Sequence, residues 1–413
     1  MASAIGNKPV KVAYMMSRFP KITETFVLYE ILAVMKQNIP IEVYPLMRER
    51  TNVMHAEAIP LVEAAHFTPH FSFGILAANI RAILKQPYTY IRTLWTSARA
   101  TLGSRRFFVG TLALFPKSVY LAELMQVAGI THLHAHFASF PAASAYIIHQ
   151  LTGMPYSFTA HGSDLHRDKH MLCEKVRDAN FVVAISQYNK RAILDYCDSS
   201  DEAKVYIIHC GVDTEIFKPA ETRSLDGPVS IVCTGTLHEV KGQMYLLQAC
   251  ARLKERAMPF ACHLIGDGPD EQKLREQISS LNLGKEVVLH GRLQRNDVLA
   301  VLSKADIVVA PSVPSRDGRR EGIPVALMEG MAFGIPVVAS DLSGIPELVT
   351  NNCNGFLVAP RDVDGLAEAL AKLMTDPDLR RKLGMAGQSR IINDFNQEEN
   401  ARILSRLFRE TPP

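Results

Sequence analysis

Short apolar runs alternate with segments of helical periodicity along most of the chain. In the second half, the runs that predict strands lie at residues 230–236, 260–266, 287–291, 306–311, 336–340 and 355–358. Residues 243–256 and 270–281 show the spacing of amphipathic helices. Alternation of this kind, with short glycine turns, predicts a parallel sheet covered by helices on both faces. Ligands of such sheets bind beyond the carboxyl ends of the strands.

The first half of the chain shows a looser form of the same alternation. The runs that predict strands lie at residues 10–16, 41–46, 132–136, 156–160 and 181–185. Residues 25–37 predict a helix, and residues 56–124 interrupt the alternation with helical segments rich in aromatic side chains and arginine. A second parallel sheet with a helical insertion is therefore expected.

A segment with the composition of a linker separates the two halves. Residues 214–230 contain Pro219, Gly227 and Pro228 among mixed charges, and 413 residues are too many for one ordinary core. The predicted fold class is α/β, with two doubly wound, Rossmann-like domains that face a cleft. The parts are an N-terminal domain at 1–218 with an insertion at about 64–122, a C-terminal domain at 229–392, and a C-terminal helix, within 393–413, that crosses back to the first domain.

Composition narrows the class of protein. Hydrophobic residues make up 47% and charged residues 21%, which excludes wholesale disorder. The seven cysteines occur singly without a CxxC pair, which favours reduced core thiols over a zinc site. No apolar h-region precedes the first predicted strand, and no uninterrupted apolar stretch reaches about 18 residues. We therefore expect a cytoplasmic protein that is soluble or peripheral on the inner face of a membrane.

Charge is distributed unevenly along the chain. No acidic residue lies between Glu63 and Glu123, where the basic residues are Arg81, Lys85, Arg92, Arg99, Arg105, Arg106 and Lys117. A basic amphipathic surface of this kind suits an anionic membrane. The alternative is a helical insertion that packs on its own domain, and nucleic acid is disfavoured because no recognition motif is present.

Two glutamates eight positions apart form the strongest candidate site. Glu321 follows a predicted strand, and Pro324 is expected to open a helix that carries Glu329 near the same face two turns later. The amides of Gly322 and Ile323 are then placed to bind an anion at the helix start. One carboxylate can reach a sugar and the other a ribose diol, although two solvated helix glutamates are the alternative.

The sequence around this pair resembles the retaining GT-B glycosyltransferases of family 4, whose signature is E-x7-E in this setting. The other segments that carry the resemblance are 209–213 (HCGVD), 264–269 (LIGDGP), 334–340 (GIPVVAS), 343–347 (SGIPE) and 354–358 (NGFLV). The likeness is close over about 230–366 and looser in the first domain. It implies the GT-B fold, a ribose contact from Glu329, a hexose contact from Glu321, and transfer with retention of configuration.

The turn after the first strand of the second domain is expected to bind the donor diphosphate. Lys241 would face the cleft and neutralise charge on the departing phosphate. The family usually has an arginine where this chain has Thr236, so the missing charge is expected from Arg316, Arg319 or Arg320. A surface lysine is the alternative for Lys241.

A glycine turn at 266–268 is a further candidate for nucleotide binding. It lacks the third glycine of a dinucleotide fingerprint, because Glu271 stands in that place. The resemblance instead puts this turn, with Gly268, near the nucleotide base.

Histidines end two predicted strands of the first domain. His136 and His161 lie at carboxyl ends, and Asp164 follows closely. Their spacing fits no standard zinc pattern, so no metal site is predicted. The resemblance places His161 beside the transferred sugar and lets Asp164 shape the loop, whereas a structural role for a strand-end histidine is the alternative.

The segment after the first strand lacks the glycine-rich turn of many relatives. Its Thr-Glu-Thr-Phe sequence resembles that of the colanic-acid-type exopolysaccharide transferases. Arg18, Lys21 and Glu24 are therefore candidates for the acceptor side or the donor, and a helix start capped by Thr23 is the alternative.

The expected function is transfer of a hexose from a UDP or GDP sugar to a glycan or lipid-linked acceptor in polysaccharide or glycolipid synthesis. Front-face displacement assisted by the leaving phosphate is preferred, and no metal or other cofactor is required. Two alternatives stay open: a sugar-nucleotide epimerase of the same fold, and a non-catalytic carbohydrate-binding protein.

Overall fold

The computed structural model describes residues 10–21, 24–50, 54–166, 168–217 and 227–411. Thr23 and most of the predicted linker, 218–226, lie outside these residues. Within them the chain forms two six-stranded parallel sheets with helices on both faces, which confirms the predicted α/β class. The predicted strands are found to within three residues at each end.

The first sheet carries the residues of the N-terminal half. Its strands and those of a small accessory sheet are β1 (Val12–Met15), β2 (Arg18–Phe19), β3 (Ile41–Val43), β4 (Met47–Arg48), β5 (His132–His136), β6 (Tyr156–Ala160), β7 (Phe181–Ala184) and β8 (Val205–Ile207). The strand order is β3-β1-β5-β6-β7-β8, while β2 pairs with β4 in the accessory sheet. Strands β2, β4 and β8 were not predicted, because runs of two or three residues carry no measurable periodicity.

The helices of this half are α1 (Thr25–Lys36), α2 (Ile59–Ala64), α3 (Phe73–Lys85), α4 (Pro87–Ala100), α5 (Arg105–Val127), α6 (Phe140–Thr152), α7 (Ser163–His166), α8 (Leu172–Asp178) and α9 (Gln187–Leu194). Two 3-10 helices, Ala56–Ala58 and Ser199–Lys204, complete the regular structure described here. Helices α3, α4 and α5 form the helical insertion.

The second sheet is the more regular one. Its strands are β9 (Val229–Thr234), β10 (Phe260–Ile265), β11 (Val287–Gly291), β12 (Ile307–Ala310), β13 (Val337–Ser340) and β14 (Gly355–Val358). The order β11-β10-β9-β12-β13-β14 is that of a Rossmann domain. Central strands are apolar on both faces; Val308 and Val309, for example, are both buried.

The helices of the second half are α10 (Gln243–Glu255), α11 (Glu271–Ser280), α12 (Arg295–Leu302), α13 (Val325–Ala332), α14 (Ile345–Leu348), α15 (Val363–Thr375), α16 (Pro377–Asp394) and α17 (Gln397–Glu410). A 3-10 helix, Glu239–Lys241, follows β9. Helix α17 packs on the first sheet, where Leu404 and Phe408 join a buried cluster with Tyr14 and Ile31.

Strand order reverses direction once in each sheet. The reversal lies between β1 and β5 in the first sheet and between β9 and β12 in the second. Loops after these strands diverge to opposite faces and leave a crevice at the carboxyl edge. The segments that follow β9 and β12 contain Lys241 and Glu321, so the topology itself brings these two residues to one place.

Helix α5 contains a proline in its interior. It continues through Pro116 to Val127, because Phe115, Leu121 and Met125 pack in the core against α6. By length and composition it is the one described helix that would suffice to span a membrane, although 44% of its most apolar window is buried in the fold. No apolar stretch of about 18 residues is uninterrupted even here, because Lys117 lies within this helix.

Lys117 of α5 does not belong to the basic surface that its sequence position suggested. Its side chain is 1% exposed. The ammonium donates hydrogen bonds to the carbonyls of Leu46, at 2.5 Å, and Thr68, at 2.7 Å. Burial lowers the pKa of Lys117 to about 8. This residue therefore ties the helical insertion to the loop after β3.

Candidate active site

A cavity of about 610 Å³ lies between the two domains at the carboxyl edges of both sheets. Its volume is in the range of small-molecule sites. The sequence-predicted residues that line it are Lys21, Glu24, His161, Thr236, Lys241, Gly268, Arg319, Arg320, Glu321, Gly322, Ile323 and Glu329. The predicted residues that are not part of this lining are Arg18, His136, Asp164, Pro324 and Arg316.

Lys241 and Glu321 form an ion pair on the wall of this cavity. The Nζ atom of Lys241 lies 2.7 Å from Oε2 of Glu321, and both side chains are largely shielded from solvent. Lys241 ends the 3-10 helix after β9, and Gly242 follows with φ of 69°. A Cβ atom at Gly242 would stand 1.9 Å from the carbonyl oxygen of Pro311. Only glycine allows the loops after β9 and β12 to approach this closely.

Helix α13 begins one residue later than the sequence predicted. Pro324 occupies the N-cap position with extended backbone, and the first helical residue is Val325. The backbone that lines the cavity at the helix start therefore includes Val325 and Ala326, in addition to Gly322 and Ile323. The positive end of the helix dipole faces the cavity, so an anion is favoured there.

Glu329 lies deeper in the same wall. Burial raises the pKa of its carboxyl to about 7, and the nearby positive charge of Arg295 opposes part of this rise. The Arg295 guanidinium stacks over the ring of Tyr29, with 4.0 Å between Cζ and the ring centroid. It also lies 3.2 Å from a carboxylate oxygen of Glu57. Because Tyr29 and Glu57 belong to the first domain, Arg295 links the domains beside Glu329.

Two of the three arginines expected to supply the charge missing at Thr236, Arg319 and Arg320, line the cavity. Arg319 lies in the cavity wall, 2.9 Å from Asp317 and 3.3 Å from Nε2 of His238. Arg320 donates a hydrogen bond of 3.0 Å to the hydroxyl of Tyr188 in the first domain. The side chain of Arg316 is 94% exposed, lies 3.7 Å from Glu239 and does not line the cavity.

The glycine turn after β10 packs against the Lys241 loop. A Cβ atom at Gly268 would lie 2.3 Å from the carbonyl oxygen of Leu237. Asp267 of this turn accepts two hydrogen bonds from Arg292, at 2.8 and 3.1 Å. The turn thus presents backbone and a fixed ion pair to the cavity, rather than a dinucleotide-binding loop.

The first domain contributes the opposite wall through the loop after β6. The ring of His161 packs against those of Phe26 and Phe137, with centroid distances of 4.6 and 4.7 Å. Asp164 accepts hydrogen bonds from the amides of Ala138, at 2.7 Å, and Gly162, at 2.7 Å. Asp164 fixes the loop through these backbone hydrogen bonds and does not line the cavity.

Lys21 and Glu24 enter the cavity from the segment after β2. Their charged groups lie 2.5 Å apart. Burial raises the pKa of Glu24, and the pairing with Lys21 opposes this rise. Arg18 points elsewhere: it lies 3.4 Å from Glu49 and lines a small separate pocket with Lys21 and Glu24.

The domains touch closely around the cavity. A Cβ atom at Gly322 would lie 2.4 Å from the carbonyl oxygen of His161. The carboxylate of Glu347 accepts hydrogen bonds from the backbone amides of Gln187, at 2.7 Å, and Tyr188, at 2.8 Å. Sequence inspection missed Tyr29, Arg295, His238 and Glu347. Of these, Glu347 lies in the 343–347 segment that carries the resemblance, and Arg295 opens a helix beyond a strand's carboxyl end.

Comparison with known families decides the class of protein. The model for glycosyl transferases group 1 matches residues 215–390, and that for glycosyltransferase family 4 matches residues 97–216. The chain belongs to these glycosyltransferases. The match spans both domains and includes Lys241, Glu321 and Glu329 in the first model and His161 in the second. The family identified from the E-x7-E segment is thereby confirmed.

Named relatives of this glycosyltransferase act in polysaccharide synthesis. A putative colanic acid biosynthesis glycosyltransferase, WcaL, of Escherichia coli K12 is 38% identical over 206 residues, 50% of this chain and 51% of that protein. The WcaL protein of Salmonella typhimurium is 28% identical over 97% of this chain and 99% of its own. Anabaena HepE, solved with UDP and glucose, superposes with a TM-score of 0.73 at 17% identity, over 97% of this chain and 100% of its own. These structural similarities confirm the GT-B fold.

Proposed function

We propose that this glycosyltransferase moves a hexose from a nucleoside-diphosphate sugar to a glycan or lipid-linked acceptor during exopolysaccharide synthesis. The names of the two WcaL relatives support the polysaccharide. The UDP and glucose found in HepE support a uridine donor. The same fold and the same charged cavity also accept a GDP sugar in principle, so the base is decided by experiment.

The observation that carries this proposal is the arrangement of Lys241, Glu321 and Glu329 on one wall of the cavity. In the proposed complex, Glu329 accepts hydrogen bonds from the ribose hydroxyls. Lys241, with Arg319 and Arg320, neutralises the diphosphate near the start of α13. Glu321 binds hydroxyls of the hexose, and His161 faces the sugar from the other domain.

The proposed reaction retains the anomeric configuration by front-face displacement. The bond between the anomeric carbon and the phosphate oxygen breaks while the acceptor oxygen bonds to the same face of that carbon. The departing phosphate takes the proton of the acceptor hydroxyl, so no protein base is needed. Fixed cations and helix amides stabilise the charge that develops on the leaving oxygen. No step is assigned to a metal ion, and activity is expected to survive EDTA.

A covalent route would need a carboxylate on the opposite wall. Glu24 lies in that wall, but Lys21 is paired with it at 2.5 Å. We therefore assign Glu24 to the acceptor side. Glu24→Gln should keep a measurable rate of transfer. A trapped glycosyl ester on Glu24 would instead show that the reaction proceeds by double displacement.

Donor and reaction are tested together. Thermal shift with UDP, GDP and ADP sugars identifies the donor, since a ligand at 100 times its Kd adds about 2.7 kcal/mol of stability. NMR of the product then shows the anomeric configuration of the transferred sugar. Free epimerised sugar would indicate an epimerase. A product with inverted anomeric configuration would refute front-face displacement. Normal polysaccharide in cells that carry only Glu321→Ala would indicate a non-catalytic protein.

The helical insertion is proposed to bind an anionic membrane on the cytoplasmic side. One face of α3 and α4 packs inward, while the other leaves large apolar side chains uncovered. The most exposed of these are Phe73, Leu84, Tyr88, Ile91 and Trp95, and Phe71 is exposed just before α3; Phe73 is 92% exposed. Lys85, Arg92 and Arg99 are exposed on the same helices, and Arg105 is exposed at the start of α5. Aromatic side chains beside basic ones suit a lipid headgroup region.

Flotation with vesicles tests this surface. Vesicles with 30% anionic lipid should carry the protein upward, and purely zwitterionic vesicles should carry much less. The double variant Arg92→Glu/Arg99→Glu should lose binding, because each basic residue contributes about 1 kcal/mol near such a surface. Lys382→Glu, on the distant helix α16, is the matched control. Equal partition into both vesicle types would rule out this proposal.

A further inference from the structure

Hydrogen bonds connect the core of the first domain to the cavity wall. The hydroxyl of Tyr14 in β1 donates to Oε1 of Glu30 in α1 at 3.0 Å. The same oxygen lies 3.1 Å from Nε2 of His136 at the end of β5. The Nδ1 atom of His136 in turn lies 3.0 Å from Nε2 of His161. Four residues from four separate elements thus form one linear series.

The direction of each bond follows from chemistry. A carboxylate accepts hydrogen bonds and cannot donate them, so His136 must donate its Nε2–H to Glu30. In a neutral ring the other nitrogen is then bare, so Nδ1 of His136 accepts the Nε2–H of His161. The remaining nitrogen of His161, Nδ1, is consequently an acceptor.

That acceptor nitrogen belongs to a residue that lines the cavity. Cys210, which also lines the cavity, has its sulfur 3.9 Å from Nδ1 of His161. Burial lowers the pKa of His161, which agrees with a neutral ring. The rings of Phe26 and Phe137 pack against the imidazole, with centroids 4.6 and 4.7 Å from its own.

A neighbouring histidine does not compete for Glu30. His134 has its own partners, with Nδ1 2.8 Å from the hydroxyl of Ser157 and Nε2 3.0 Å from that of Thr159. Its Nε2 is 3.8 Å from the Glu30 oxygen, beyond hydrogen-bond distance. The carboxylate of Glu30 is therefore directed at His136.

We infer that Glu30 and His136 are positioning residues that hold His161 in its neutral Nε2–H form, so that Nδ1 offers a hydrogen-bond acceptor to a hydroxyl of the bound sugar. The assignment of the sugar as the partner rests on the proposed function. The assignment of the tautomer rests only on the geometry of the four residues.

Nitrogen NMR of the protein labelled with 15N-histidine tests the tautomer without any substrate. The His161 signals, assigned by their loss in His161→Gln, should show a protonated Nε2 and a bare Nδ1. A protonated Nδ1 in the wild-type protein overturns the inference. Stoichiometric metal in the purified protein would do the same, since Glu30, His134 and His136 have donor atoms within 4.8 Å of one another.

Substitutions at Glu30 test the role of the series. Glu30→Gln keeps an amide oxygen that accepts from His136, so tautomer and activity should be largely retained. Glu30→Leu removes the acceptor, so His161 should become a mixture of tautomers and kcat should fall about tenfold, the worth of one hydrogen bond. The affinity for UDP should change less than twofold, because UDP lacks the hexose that is transferred.

Each outcome points to a distinct conclusion. An unchanged tautomer or unchanged kcat in Glu30→Leu refutes positioning by Glu30. If that variant does not fold, as judged by circular dichroism, the wild-type spectrum alone decides the tautomer. Absence of transfer with every donor would refute the proposed function while leaving the tautomer measurement valid.

Discussion

The ammonium of Lys241 lies 2.7 Å from a carboxylate oxygen of Glu321, so the two charges neutralise each other on the wall of the cavity. A lysine assigned to the phosphate and a glutamate assigned to the sugar thus hold one another in place before a donor arrives. In the proposed complex, we expect the diphosphate to give the lysine a second anionic partner and to release carboxylate lone pairs for sugar hydroxyls.

Lys241→Ala should lower kcat by about 10²- to 10³-fold, the usual effect of removing one group that stabilises a leaving oxygen. Steady-state kinetics with the identified donor measures this loss. Lys254→Ala is a matched control, because Lys254 is also ion-paired, at 2.9 Å to Glu286, on the outer surface. Equal activities of the two variants would remove Lys241 from the catalytic residues.

Donor affinity should depend on pH through Glu329. Its pKa of about 7 means that the carboxyl is protonated below this pH and ionised above it. An ionised carboxylate accepts from both ribose hydroxyls, so affinity should rise through pH 7 and fall by at most tenfold per pH unit below it. Calorimetric titration with UDP-glucose at pH 6, 7 and 8 measures the trend. Glu329→Gln should bind weakly with no such trend.

Stability of the free protein should show the opposite dependence. The folded-state pKa of Glu329 is raised above the usual 4.5, so the folded state binds the proton more tightly than the unfolded chain does. The free energy of unfolding should therefore fall as pH rises from about 4.5 to 7, by at most about 3 kcal/mol from this group. Urea unfolding at about pH 4.5 and pH 7 measures this change in the free energy of unfolding. The Glu329→Gln variant should lack the part of the change that comes from Glu329.

Gly322→Ala should separate the domains slightly and lower kcat by about 100-fold. The added Cβ would stand 2.4 Å from the carbonyl oxygen of His161 and 2.9 Å from Cδ1 of Ile185, both in the first domain. A shift of about 1 Å in a reacting geometry has that order of effect. Gly284→Ala is the control, since a Cβ there has open space. Full activity of Gly322→Ala would show that the closed arrangement is not the reactive one.

Arg295→Ala should weaken UDP-glucose binding roughly tenfold. The variant loses the stacking on Tyr29 and the ion pair with Glu57, which join the domains next to Glu329. It also removes a charge that lowers the pKa of Glu329, so the pH at which binding rises should move upward. Arg275→Ala, which breaks an exposed pair with Glu271 within one helix, is the comparison. Identical affinities would mean that Arg295 has no part in donor binding.

Many residues of this site could be predicted from the sequence because they lie in loops that follow strands. The runs that became β9 and β12 identified the loops of Lys241 and Glu321, and the E-x7-E spacing identified Glu329. Parallel sheets bring such loops together whatever the details of packing.

The rest depends on contacts between residues far apart in the chain. Arg295 and Glu57 are 238 positions apart, and no local pattern relates them. The charge of Lys117 looked like part of a basic surface because burial is not visible in a charge count. The extension of α5 past Pro116 reflects tertiary packing that overrides a local helix breaker.

Glu347 caps a helix of the other domain, and its position relative to Arg295 has a mechanical consequence. It follows β13 near one edge of the second sheet, while Arg295 follows β11 at the opposite edge. Two backbone hydrogen bonds hold the Glu347 side, whereas side-chain contacts of a single arginine hold the other. We therefore expect an opening motion of the cleft to pivot near Glu347, so that the mouth of the cavity widens most beside Arg295.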